Sequence, residues 1–308
     1  MKICSLLPTA TEILYALGLG KNVVGRSEHC HYPPQVKSKP IVVRSAVKKI
    51  ARQDSLEIHQ AVVTLKEKGV HQFVVDTAAL KQLKPDLVIT QTLCTVCAAS
   101  HSEVSSALKQ LNPVPREIHL HAQRLSEIFK EIRRLGIITH RRSAADRLLH
   151  QLEGRLEKIR KKIAQASSRP RVWCCEWLEP LMAAGHWIPE MVESAGGMDG
   201  LGKKGADSVW LSWEQVRRYD PEVILVMPCS YSIFQTLREK NRLLSRHGWK
   251  ELKAVKEGKV FAVATDYFHH TGPRLVDGVG LIAHLLHPDL IPAGPYRRHY
   301  REINPPEP

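Results

Sequence analysis

Six of the chain's seven cysteines fall just after short apolar runs, and thiolates so grouped can hold a metal or exchange electrons. Cys30 follows Val23-Val24-Gly25, and Cys94 and Cys97 follow Asp86-Leu87-Val88-Ile89-Thr90. Cys174 and Cys175 follow Arg171-Val172-Trp173, and Cys229 follows Val223-Ile224-Leu225-Val226-Met227. Only Cys4 lies inside such a run. Cys94-x-x-Cys97 has the spacing of half a zinc site, and His29-Cys30-His31 would complete the shell if the two loops meet. The metal-ligand candidates are thus Cys30, Cys94, Cys97, Cys175 and Cys229. The CxxC pair also suits a redox motif, because a helix starting after Cys97 would lower a thiol pKa through its N-terminal dipole. Against both stands the habit of free cysteines to pack as small buried hydrophobes. Sequence alone leaves the three readings open.

A second group of residues is aromatic and imidazole. Cys174-Cys175-Glu176-Trp177 and Gly185-His186-Trp187 bring thiols, a histidine and two indoles close in sequence. Indole faces suit a large flat ring, and an imidazole can ligate cobalt or iron. Equally, Trp177 and Trp187 suit a core. His269-His270, after Asp266-Tyr267-Phe268, and Tyr231, beyond Cys229, occupy loops of the same kind. Gly200-x-Gly202-x-x-Gly205 formally matches a dinucleotide fingerprint, but it follows a helix rather than a strand, so it is read as a flexible loop. There is no Gly-x-Ser-x-Gly elbow, P-loop or His-Glu-x-x-His helix to anchor an enzyme.

These residues need a scaffold, and the chain alternates strand-like and helix-like segments, the pattern of an α/β fold with mainly parallel sheets. Strands are predicted at 2–7, near 23, and at 40–43, 73–75, 86–91 and 117–120. Helices are predicted from Pro8, with Thr9 and Glu12 as a capping box, and at 55–68, 99–111 and 124–135. From 139 to 166, Ala145, Leu148, Leu149, Leu152, Leu156, Ile159 and Ile163 recur at steps of three and four. Such a helix of about 28 residues would run roughly 42 Å, long enough to link two lobes. Further strands are predicted at 171–174, 223–227 and 260–263, and helices at 189–195, 213–219, 232–244 and 274–286. The expected organisation is an N-terminal lobe (1–138), a connecting helix (139–168), a C-terminal lobe (169–290) and an irregular tail (291–308). Ligands of open α/β sheets bind beyond the carboxyl ends of the strands, where the thiols cluster.

The 308 residues carry 45 Lys and Arg against 31 Asp and Glu, a net charge of +14. The basic residues are scattered and no nucleic-acid-binding motif accompanies them, so a solvated basic surface is expected and no specific nucleic-acid partner. Salt-sensitive retention on DNA would mark the contrary case. No apolar run reaches the roughly 18 residues of a membrane span. The apolar part of the N-terminus is too short for a signal peptide, so a cytoplasmic protein with reduced thiols is expected.

Ser5-Leu6-Leu7-Pro8-Thr9-Ala10-Thr11-Glu12-Ile13-Leu14, with Gly18 and Val24-Gly25, resembles the opening of helical-backbone (class III) periplasmic binding proteins. Those proteins capture cobalamin, ferric siderophores or haem for ABC importers. His31-Tyr32-Pro33-Pro34, Leu83-Lys84-Pro85-Asp86-Leu87-Val88-Ile89-Thr90-Gln91 and Leu93-Cys94-Thr95-Val96-Cys97-Ala98 point to the cobalamin-binding branch. So do Glu176-Trp177-Leu178-Glu179-Pro180-Leu181, Gly185-His186-Trp187-Ile188-Pro189-Glu190-Met191-Val192 and Gly272-Pro273-Arg274-Leu275-Val276-Asp277-Gly278. The resemblance covers about residues 1–290 and implies two Rossmann-like lobes joined by one long helix, without catalysis. It implies a small-molecule ligand, a corrinoid such as cobalamin, in the interlobe cleft, and an ABC importer permease as partner if the protein is exported. Thr9 and Thr11 would give hydrogen bonds, Trp177, Trp187 and Tyr267 would flank the ring, and His186 or a thiol would contact cobalt. Tyr32, Tyr231 and His269 complete the ligand-facing candidates. The alternative is a metal or metal-chelate binder, for zinc, cobalt or haem, using the cysteines and histidines directly.

Overall fold

In the computed structural model the described residues are 1–46, 54–93, 99 and 101–303. The chain divides into two compact units, Met1–Ala122 with Glu127–Leu149 and Gln123–Ser126 with His150–Pro308. Each is an α/β unit around its own sheet, as the sequence pattern implies. No helix among the described residues is long and apolar enough to cross a membrane.

The first sheet takes its strands from the apolar runs: β1 (Ile3–Ser5), β2 (Val23–Ser27), β3 (Ile41–Ser45), β4 (Phe73–Val75), β5 (Leu87–Gln91) and β6 (Arg116–Leu120). Their order is β4-β3-β2-β1-β5-β6, parallel throughout except for β4 against β3. β1 is central and fully buried, with Ile3 and Cys4 at zero exposure. Strands so enclosed carry near-continuous apolar sequence, which is why the runs are legible. Chain order reverses between β1 and β5, so the loops leaving their carboxyl ends flank a switch point.

After β1 comes α1 (Pro8–Ala16), whose N-cap is Leu7, with no side-chain cap. The expected Thr9–Glu12 capping box is therefore corrected: proline at the first position already lacks the N–H a cap would satisfy. α2 (Ser55–Glu67) has a genuine box, Asp54 with Glu57. α3 (Thr77–Leu83) was not expected, and α4 (His101–Leu108) and α5 (Leu125–Ile138) complete the set. A buried arginine fixes the loops beyond β2. Arg26 donates to the carbonyls of Ser27 (3.1 Å), Cys30 (3.3 Å), Lys37 (3.4 Å) and Lys39 (3.1 Å). With the Glu28 carbonyl at 3.4 Å, one guanidinium gathers five carbonyls of these loops.

The long amphipathic helix is α6 (Arg142–Ile163), 22 residues against the 28 expected, or roughly 33 Å. Its start is displaced because α5 ends in a Schellman turn: the Arg141 amide donates to Gly136 (2.6 Å) and the His140 amide to Ile137 (3.2 Å). His140 takes the left-handed conformation at φ 57°. The division between the two units falls inside α6, at Leu149 and His150.

The second sheet is built on β7 (Arg171–Leu178), with β8 (Leu181–Ala183), β9 (Met198–Asp199), β10 (Val209–Trp210), β11 (Val223–Val226), β12 (Val260–Val263) and β13 (Tyr300–Glu302). β7, β11 and β12 are parallel neighbours. β8 returns antiparallel along the end of β7, extending that strand past the predicted Cys174, and β9 pairs with its start. β13 adds an antiparallel edge to β12, so the tail from 291, expected to be irregular, completes the sheet instead. Around it lie α7 (Ile188–Ser194), α8 (Trp213–Tyr219), α9 (Ile233–Arg238), α10 (Asn241–Leu244), α11 (Lys253–Lys256) and α12 (Leu275–Leu286). The predicted helix at 232–244 is thus two helices.

The loop Gly200–Gly205, read as flexible from sequence, is tied down. Asp199 accepts from the Leu201 and Gly202 amides at 3.1 and 2.9 Å, and the Gly200 amide donates to the Tyr219 hydroxyl at 2.9 Å. A Cβ on Gly202 would sit 2.1 Å from the Ala184 carbonyl oxygen, so the loop's own packing needs glycine there.

Two substitutions test this reading. Burial raises the Asp199 pKa from 3.8 to about 6, against the two amide hydrogen bonds. A raised acid stabilises the fold fully below the unfolded pKa, and that contribution is lost as pH rises through the folded one. The loss is about 3 kcal/mol. Asp199→Asn keeps the acceptor and should be more stable than the native chain in urea unfolding near pH 8, by up to about 3 kcal/mol, but equal at pH ~3, below the unfolded pKa. An unchanged difference between the two pH values would contradict the assignment. Arg26→Met should cost about 2–4 kcal/mol in the same assay, since it removes the hydrogen bonds of a buried guanidinium to five carbonyls; a loss under about 0.5 kcal/mol, as at an ordinary surface site, would count against the guanidinium's role.

Candidate functional site

The richest collection of sequence-predicted residues lies at the carboxyl ends of β7, β11 and β12, all within the second unit. His269 ties the three ends together. Its Nε2–H donates to the Met227 carbonyl (2.7 Å), at the end of β11, and its Nδ1 lies 3.6 Å from Glu176 of β7. Burial alone would pull the His269 pKa down, but neighbouring Cys229, Glu176 and the Met227 carbonyl outweigh it, and the pKa is raised. The raised pKa reflects an imidazole that faces the Glu176 carboxylate. Glu176 is held in turn by the Ser208 hydroxyl, which also accepts from the Gly185 amide (3.1 Å). Glu176 was missed as a site residue because a charge inside a strand-like run reads as an interruption of it.

Trp177 and Tyr231 form an edge-to-face pair, ring centroids 5.5 Å apart. The Trp177 indole N–H donates to the Glu179 carbonyl (3.1 Å), leaving the ring partly exposed. Tyr231 is buried, its hydroxyl donating to Glu239 (2.7 Å), and its carbonyl accepts from Thr265 (2.7 Å) in the loop after β12. In that loop Tyr267 is half-buried; its hydroxyl meets His299 Nε2 at 3.1 Å and Arg274 lies over its ring at 5.7 Å. Glycine at 278 lets α12 close on this loop, since a Cβ there would come within 2.4 Å of the Tyr267 carbonyl oxygen. Trp187 is 6% exposed and donates its indole N–H to the Phe268 carbonyl (2.6 Å). It belongs to the core that supports the loop, not to a ring-flanking surface. His186, partly exposed and left-handed at φ 51°, stacks on Trp187 at 5.5 Å.

In the first unit, Thr11 is fully buried, with hydroxyl contacts to Ser5 Oγ (2.7 Å), the Leu7 carbonyl (3.3 Å) and Cys30 Sγ (3.1 Å). Its hydroxyl serves the β1–α1 junction, not a ligand, and Thr9 beside it is also buried. Tyr32, in the loop after β2, is 45% exposed and available as an aromatic face.

Of the proposed metal set, Cys30, Cys175 and Cys229 are among the described residues. Cys94 and Cys97 lie outside the described residues. Cys30 belongs to the first unit and Cys175 and Cys229 to the second. Burial pushes the Cys30 thiol up to about 11 and raises Cys174 and Cys175 as well, so these are protonated, packed thiols. Cys174 and Cys175 occupy opposite faces of β7, both fully buried. Cys229, half-buried beside the His269 cluster, is the one thiol of the set placed at the strand ends in this unit.

The family model for periplasmic binding proteins matches residues 3–267. An ABC transporter substrate-binding lipoprotein of Bacillus subtilis, YvrC, is 27% identical over 295 residues, covering 94% of this chain and 80% of the relative. The vitamin B12-binding protein of Vibrio cholerae is 26% identical over 285 residues, covering 90% and 86%. Among solved structures, BtuF, the periplasmic vitamin B12-binding protein of Vibrio cholerae, superposes with a TM-score of 0.67 at 24% identity, covering 92% of this chain and 96% of that one. A periplasmic haem-binding protein of Pseudomonas aeruginosa gives 0.73 at 18% identity, covering 100% and 99%. Two sheet-centred α/β units, a ligand-type loop cluster and a match across most of the chain together place this protein in the periplasmic binding protein family, a family of binding proteins rather than enzymes.

Proposed function

We propose that this protein is the substrate-binding component of an ABC importer, handing its ligand to a permease, and that the ligand is a corrinoid, cobalamin or a near analogue. Family membership and the similarity to YvrC support the importer role. The similarity in sequence to vitamin B12-binding relatives supports the corrinoid.

The observation that carries the choice of ligand is how the polar tips at the strand ends are spent. Haem iron takes an axial ligand from the protein, commonly histidine, tyrosine, methionine or cysteine. Here the Tyr231 phenol is engaged by Glu239, the Tyr267 phenol by His299, and both nitrogens of His269 by Met227 and Glu176. Cobalamin brings its own axial base and asks the protein mainly for shape, aromatic faces and hydrogen bonds to its amide rim. Trp177, propped by Tyr231, offers such a face. The metal-chelate alternative through Cys30 and Cys175 is disfavoured by their burial and raised pKa values.

Titration of the full chain with cyanocobalamin and, separately, haemin tests the reading, followed by tryptophan fluorescence and visible absorbance. One equivalent of the corrinoid should bind with a Kd on the order of micromolar or tighter. Haemin should produce no Soret shift of axial ligation. Tight haem binding with such a shift, and none of cyanocobalamin, would overturn the choice. Trp177→Ala should weaken corrinoid binding by about tenfold with an unchanged circular dichroism spectrum.

A further inference from the structure

At the edge of the first unit's sheet, His101, Glu117 and His119 converge. Their ligand atoms all lie within 4.8 Å of one another. Glu117 and His119 are two apart on β6 and so share a face, while His101 opens α4, which packs there. Glu117 Oε1 sits 3.5 Å from His119 Nε2 and 3.7 Å from His101 Nδ1, and the two imidazoles meet edge-to-face at 4.4 Å.

Two features separate this cluster from an ordinary surface ion pair. Glu117 Oε1 and His119 Nδ1 are buried and have no hydrogen-bond partner, although Glu117 is surrounded by donors. The carboxylate is oriented by its other oxygen, which accepts from the Ser105 hydroxyl at 2.7 Å, so Oε1 is turned to the imidazoles without bonding either; the same hydroxyl oxygen lies 3.2 Å from His101 Nδ1 and so orients that ring as well. The two separations from Glu117 Oε1 are close to those of atoms that share an ion: ligands on a tetrahedral metal with bonds near 2.1 Å stand about 3.4 Å apart. Arg134 is directed elsewhere, to the His119 carbonyl (2.8 Å) and Glu131 (3.1 Å).

The geometry points to a divalent transition-metal site, for Zn²⁺ or an ion of similar preference, with His101, Glu117 and His119 as ligands and Ser105 holding the carboxylate. Two imidazoles and one carboxylate form a borderline N/O set, and three protein ligands leave a position for water. The site is separate from the corrinoid reading and stands or falls independently of it.

The test uses the full chain without a histidine tag, titrated with Zn²⁺ against a chromogenic chelator and with Co²⁺ by its visible d–d spectrum. The chain should bind one equivalent, with a tetrahedral cobalt spectrum lacking thiolate charge transfer. His101→Ala replaces an exposed side chain and should reduce affinity at least tenfold without changing the melting temperature of the metal-free protein. Ser105→Ala should reduce it about 10–100-fold, as expected of a residue that orients a ligand. Cys94→Ser with Cys97→Ser should leave affinity unchanged. Absence of binding to the native chain, binding unaffected by His101→Ala, or binding lost only in the double cysteine variant would each overturn the assignment.

Discussion

A parallel strand buried on both faces can satisfy its backbone only through its two neighbours, and everything polar must wait for its ends. That constraint governs both units. β1 lies between β2 and β5, and β7 lies between β11 on one edge and β8 with β9 on the other. β1 carries one polar side chain, Ser5 at its carboxyl end, which bonds Leu7 and Thr11, while inside β7 the Trp173 indole N–H is the exception, buried without a partner. The chain therefore collects charge, imidazole and phenol where the strands stop, and these groups bond first to one another. His269 joining three strand ends, and Arg26 gathering carbonyls beyond β2, are the two clearest cases.

The same constraint revises the meaning of the cysteines. Their regular placement after apolar runs suggests a distributed thiol site. β7 in fact continues to Leu178 because β8 folds back along it, so Cys174 and Cys175 are inside the strand and buried in packing on either face. Cys30 is likewise enclosed, held by Thr11. A thiol whose pKa is raised by burial is a poor ligand and a poor nucleophile. What gathers near the strand ends of the second unit is instead aromatic and imidazole, the composition expected for a large flat ligand recognised by its faces.

Much of the scaffold was legible from the amino acids because continuous Val, Ile and Leu runs bounded by turn residues have few other uses. β5, β11 and β12 were predicted nearly to the residue for this reason. β8, β9, β10 and β13 were not, since two or three residues at a sheet edge carry no periodicity and exist only through pairing. The start of α6 was misplaced because apolar spacing persists through a turn whose left-handed residue is His140, where glycine would have been the sign. Aromatic site residues could be read from their position after strands, but their exposure could not: Trp177 and Trp187 look alike in sequence, and only tertiary packing buries the second. Arg26 and Glu176 were hidden by being charged in apolar company, and the meeting of His101 with β6 depends on how α4 packs.

The central claim is that the ligand is held by the loops beyond the carboxyl ends of β7, β11 and β12. Amide hydrogen exchange, measured with and without saturating cyanocobalamin, addresses it directly. Protection should rise at residues 176–178, 229–231 and 265–270, and stay unchanged at the amino ends of the same strands, near Arg171, Val223 and Val260. Protection at those amino ends, with none in the three loops, would contradict the account.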